Sequence, residues 1–127
     1  MSLTAQTNSN QTTPTEIRLG KDKTTLTVVF AQNTYTFTAE FLRVLSPSAE
    51  VQGHGPGQQK TIGGKKNVTL TGLEPVGHYA LKITFSDGHA SGIYTWNYFA
   101  EMGEKQLDEW QAYTKRLAAA GLTREAA

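Results

Sequence analysis

The chain has 127 residues, 38% of them apolar, no cysteine, and 12 basic against 11 acidic side chains for a formal charge of +1. That length supports one domain around a single core. The missing cysteines exclude a disulfide framework, a thiolate metal site and a cysteine nucleophile, and the balanced charge excludes a global field that would steer the protein to nucleic acid or an anionic membrane.

No apolar run approaches about 18 residues, and no charged start leads into an apolar stretch, so neither a membrane span nor a secretory signal is predicted and a cytoplasmic protein is expected. Residues 1–15 carry seven Ser or Thr and almost no large apolar group, which reads as a disordered tail. Apolar residues then alternate: Ile17 and Leu19, Leu26, Val28 and Phe30, Tyr35 and Phe37. With turns near 20–24 and 32–33, this period of two predicts a three-stranded antiparallel meander. At 39–45 the period changes. Phe41, Leu42 and Leu45 share one helical face while Glu40 and Arg43 point elsewhere, and Ser46-Pro47 ends the helix. Ser46 or Ser48 then caps a further turn holding Ala49 and Glu50.

Residues 51–67 contain five glycines and three lysines and read as a long loop. Gly63-Gly64-Lys65-Lys66 can cradle an anion, although the glycine spacing is not that of a P-loop. Residues 68–73 form the next predicted strand, Glu74-Pro75 a turn, and 76–85 the central strand, with Tyr79, Leu81, Ile83 and Phe85 on one face and His78 on the other. Asp87-Gly88 suits a two-residue type I′ connection, so 90–94 should pair back on the central strand. From Tyr94 the period is helical as far as Met102, and Gly103 breaks or kinks it. A second helix over 104–120 carries Leu107, Trp110 and Leu117 at helical spacing, acids early and Lys115 and Arg116 late, with Gly121 as its C-cap and 121–127 as a tail. The sum is an α+β domain over 16–103, an antiparallel meander with a short helix after the third strand, followed by one or two C-terminal helices.

The three histidines, His54, His78 and His89, have no spacing of the zincin kind. Asp87 and His89 can bind a cation or polarise one another. Equally, Asp87 can set the turn while His89 packs at the start of a strand. Ser46, Ser48, His89 and Asp87 are triad residue types, but no Gly-x-Ser-x-Gly elbow accompanies them. Trp96, Tyr98, Phe99 and Trp110 read as core, with a partner-facing aromatic patch as the alternative.

Two motifs belong together. Leu42-Arg43 followed by Ser46-Pro47-Ser48-Ala49-Glu50, and Asp87-Gly88-His89 followed by Trp96, resemble the small bacterial proteins of the family named after the N-terminal region of gamma-butyrobetaine hydroxylase, over about residues 14–102. In the hydroxylase this region resembles a zinc-binding module ahead of a separate oxygenase domain. The resemblance places that module's three cysteines at Ser46, Ser48 and Val51 and its histidine at His89. It therefore implies that the zinc site is lost here, and the oxygenase reaction does not carry over because its catalytic domain lies outside the matched stretch. The same domain type is similar to a terminal module of some P-loop iron–sulfur cluster carriers, which implies a role beside iron or cluster handling.

The expectation is a non-catalytic binding or adaptor domain, not an enzyme, with no firmly held cofactor. Trp96, Tyr94, Arg43 and His78 would contact a protein partner, a cluster carrier by the resemblance, with no nucleic acid or membrane partner. The alternative expectation is a protein that binds Zn or Fe weakly through His54 and His89, with Asp87 or Glu50.

Overall fold

The computed structural model describes residues 13–53, 60–90 and 92–125. The expectations placed on residues 1–12 and on His54 lie outside them. Strands β1 (Glu16–Leu19), β2 (Thr25–Val29) and β3 (Thr34–Thr38) form an antiparallel sheet in the order β1-β2-β3. Pairing starts earlier than composition suggests, because the Thr15 N–H already donates to Val29 O at 2.7 Å. Leu26, Val28 and Phe37 are fully buried, and their alternation with the threonines of β2 and β3 gives this sheet one apolar face.

Helix α1 (Ala39–Val44) starts where Thr38 Oγ1 accepts the Phe41 N–H at 3.0 Å, an ordinary threonine N-cap. Glu40 and Arg43 do not point away from the core. Every residue of α1 is buried, because tertiary partners neutralise both charges, as described below. A short helix, α2 (Ala49–Gln52), follows the Ser46-Pro47 break.

The second sheet is β4 (Leu70–Val76), β5 (Ala80–Phe85) and β6 (Ile93–Thr95), in that order and antiparallel. Glu74-Pro75 makes no turn: Pro75 lies inside β4 opposite Leu81, as it can on an edge strand that needs no N–H on its outer side. The turn falls at residues 77–79 instead, where Gly77 has a positive φ of 54°. Tyr79 therefore leaves the apolar face and is 57% exposed. The Asp87-Gly88 connection is not a two-residue hairpin either. β6 pairs with the far half of β5, with Leu81 opposite Tyr94, while the turn itself closes between Phe85 and His89, where Gly88 N donates to Phe85 O and Phe85 N to His89 O, both at 2.9 Å.

Helix α3 (Trp96–Glu104) is capped by Thr95 Oγ1, which accepts the Tyr98 N–H at 3.0 Å, and it runs through Gly103 to end at Lys105. α4 (Gln106–Ala119) follows directly. One core joins both sheets and the helices through Leu26, Phe37, Leu42, Ile83, Phe99 and Tyr113. Phe99 sits at its centre, stacked on Tyr94 at 5.7 Å and on Trp96 at 6.2 Å between ring centroids.

Residues 121–124 are not a free tail. Leu122 N donates to Leu117 O at 2.9 Å and Gly121 N to Ala118 O at 3.1 Å, with Gly121 at φ 70°. This is a Schellman termination, which reverses the chain. The reversed segment then meets the second half of the long loop, where Gly64 N donates to Thr123 O and Lys66 N to Arg124 O. Arg124 grips the buried Glu40 carboxylate with two bonds of 2.8 and 2.9 Å.

Candidate functional site

The break between α1 and α2 and the β5–β6 loop form one polar cluster. Ser46 is fully buried and Ser48 nearly so. The Ser46 hydroxyl lies 3.1 Å from His89 Nε2, and that of Ser48 at 3.4 Å. Ser46 Oγ also accepts the Ser48 N–H at 3.3 Å, while the Gln52 side chain donates to Ser46 O at 2.9 Å. The loop can approach this closely only because residue 92 is glycine: a Cβ there would lie 2.4 Å from Ser46 Oγ and 3.1 Å from the Tyr94 ring.

Beside this cluster lies Asp87. One of its carboxylate oxygens accepts Arg43 Nε at 2.7 Å and Lys65 Nζ at 2.6 Å, and the other accepts the backbone N–H of His89 at 3.0 Å. Desolvation alone would raise the Asp87 carboxyl. The Lys65 hydrogen bond, the His89 N–H and the bond and charge of Arg43 outweigh it and hold the group well below the usual carboxylate range. Lys65 thus neutralises an acid of its own chain rather than cradling an anion with Gly63 and Gly64. Nη1 of Arg43 is enclosed with no hydrogen-bond partner.

Three parts of the chain meet at Asp87, whose contact with His89 is to the backbone N–H of that residue. A metal ligated by Asp87 would have to displace two cations. At the positions the resemblance assigns to a zinc site, His89 is a competent donor, the two serines offer neutral hydroxyls, and Val51 is a buried hydrocarbon. This donor set does not fit zinc. No group of three or more His, Cys, Asp or Glu side chains is placed to hold a metal among the described residues.

The residues expected to meet a partner separate into two sets. Tyr94 is wholly buried, and its hydroxyl donates to Leu42 O. Burial pushes that phenol well above its ordinary range, and Tyr94 is a core residue rather than a contact surface. Arg43 is 9% exposed and committed to Asp87, which removes it from the surface as well. His78 and Trp96 do come together: the indole N–H donates to His78 O at 2.8 Å. With Tyr79, Thr95, Asn97 and Thr13 they line a cavity of about 240 Å³. Period-two reasoning missed Tyr79 because it assigned that residue to a strand. The only signal for its exposure was the neighbouring glycine, Gly77.

No helix among the described residues is long and apolar enough to cross a membrane. Comparison with known proteins adds identity to this geometry. No curated protein matches the chain. A protein with an NMR solution structure is 47% identical over 90% of this chain and 90% of its own, with a TM-score of 0.78. A second NMR solution structure has 37% identity, covering 98% and 92%, also at 0.78. The crystal structure of a DUF971-family protein of unknown function from Acidithiobacillus ferrooxidans has 36% identity, covering 74% and 96%, with a TM-score of 0.62. The family model described as gamma-butyrobetaine hydroxylase-like, N-terminal, matches residues 17–100, which take in nearly all of both sheets, α1, α2 and the first half of α3 but not α4, and the chain belongs to that family.

Proposed function

We propose that the chain is a non-catalytic binding domain of the cytoplasm that docks a protein partner through the face formed by His78, Tyr79 and Trp96. The observation that carries this reading is the exposure of Tyr79, 57%, beside an indole anchored by His78 O and over a cavity of about 240 Å³. Aromatic side chains fixed in this way supply contact area at low entropic cost and are enriched at interface hot spots. The Ser46–His89 and Asp87 cluster then serves as the brace that holds the loops in place, with no catalytic step assigned to it. The family likeness makes a P-loop iron–sulfur carrier the partner class to test first. The cluster would belong to the carrier, since thiolates hold such clusters and this chain has none.

The test is the affinity of the purified chain for a reconstituted carrier of that class. Tyr79→Ala should weaken binding at least tenfold with an unchanged melting temperature, and Leu107→Ala, on an exposed position of α4, should not. Equal affinities for the wild type and Tyr79→Ala would refute the docking face. A parallel melt with EDTA, Zn²⁺ and Fe²⁺ should show no shift. A metal-dependent rise abolished by His89→Ala would instead establish the metal-binding alternative through His54 and His89.

A further inference from the structure

A second cavity, of about 160 Å³, lies among α1, α2, α3 and α4. Val51 and Met102 contribute apolar wall, and Lys60, Glu109 and Arg116 contribute charge. Tyr98 closes one side, its hydroxyl already donated to Leu45 O. The cavity shares no residue with the His78, Tyr79 and Trp96 face.

Arg116 distinguishes this space from a simple packing gap. Its Nε is enclosed without a hydrogen-bond partner. Among the described residues, Arg116, Lys60 and Glu109 form no ion pair. Enclosed donors in native proteins are normally satisfied, and a guanidinium is suited to a carboxylate, which accepts two parallel N–H bonds. Among the described residues of the cavity wall, Lys60 and Arg116 against Glu109 leave one positive charge in excess. A monoanion matches that balance and a dianion does not. The volume is close to that of an engineered apolar cavity of about 150 Å³ that accepts benzene, which sets the size of the apolar body.

We infer that this cavity binds a small organic monocarboxylate with a compact body of about six carbons, its carboxylate on Arg116 and its body against Val51 and Met102. The probes are benzoate and hexanoate, titrated calorimetrically into the full chain at low ionic strength, with the site mapped by amide chemical shifts. At least one carboxylate should bind saturably at a single site, with shifts centred on Val51, Met102 and Arg116. Benzyl alcohol, which keeps the ring without the charge, and inorganic phosphate should each bind at least tenfold more weakly. Arg116→Gln should lower carboxylate affinity at least tenfold. Met102→Trp, which keeps the arginine and fills the cavity, should do the same, and it decides the question if Arg116→Gln does not fold. The inference is overturned by no saturable binding of either carboxylate, by shifts centred elsewhere, by phosphate binding as tightly as the carboxylates, or by wild-type affinity in either folded variant.

Discussion

Asp87 is the residue on which the loops of this protein converge, and its charge is held in place by two cations and a backbone N–H. Removing that charge leaves Arg43, whose side chain is 11% exposed, as a nearly buried cation without its counter-ion. Asp87→Asn should therefore lower stability at pH 7 by about 2–3 kcal/mol, below the full value for a buried pair because Asp87 retains some contact with water. The pH dependence has a definite sign. The carboxyl is depressed in the folded state and titrates near 3.9 when unfolded. Its stabilisation is complete above that value and is lost as pH falls below about 4 toward the folded-state value. Urea denaturation across the acid range should show a falling limb in the wild type and a flatter one in Asp87→Asn. The motif Asp87-Gly88-His89 was legible as a turn with a candidate acid. Its partners were not legible, because Arg43 lies 44 residues away and Lys65 sits in a glycine-rich segment with no periodicity.

Among the elements, α3 and β3 meet where the helix has no side chain. A Cβ on Gly103 would lie 2.4 Å from Cγ of Tyr35, close to the backbone, where the ring cannot swing clear cheaply. Tyr35 is further tied down by its hydroxyl bond to Glu104. Helix propensity favours alanine over glycine by about 1 kcal/mol, whereas overpacking costs about 1–3 kcal/mol, so overlap outweighs propensity. Gly103→Ala should be destabilising in the wild type and stabilising in a Tyr35→Ala background, a reversal readable from melting temperatures of the four proteins. From sequence, Gly103 looked like a helix breaker. It is a contact glycine inside the helix, and the break falls two residues later because nothing in a linear pattern reports what faces a helix. Pro75 is the same kind of case: a turn signal by residue type, yet tolerated within β4 because that strand is at the edge of its sheet.

At the scale of the molecule, the two ends of the helical half are joined through Glu40 and Arg124. The Glu40 side chain is 5% exposed, and Arg124, 42% exposed, pairs with it while lying 5.2 Å from the Trp110 ring centroid. A buried carboxylate stripped of its cation is costly, so Arg124→Met should destabilise by about 3 kcal/mol. It should also release the segment after α4, which hydrogen exchange would detect as faster amide exchange at Gly64 and Lys66. Unchanged exchange at those two amides would mean that the backbone bonds to residues 123 and 124, and not the ion pair, hold the loop.

Local patterns were sufficient for what depends on local patterns. The β1–β3 meander, α1 and its stop at Ser46-Pro47, and the Gly121 termination follow from period, capping and backbone preference within a few residues. The family follows from two short motifs. Tertiary structure alone decided which polar residues are buried and against what, since Glu40–Arg124, Arg43–Asp87–Lys65 and Ser46–Ser48–His89 each join residues tens of positions apart. A charge on a helix face reads as solvated until its counter-ion is known. For that reason the sequence placed Arg43 at a surface, while the fold enclosed it, likewise enclosed Tyr94 and left Tyr79 outside.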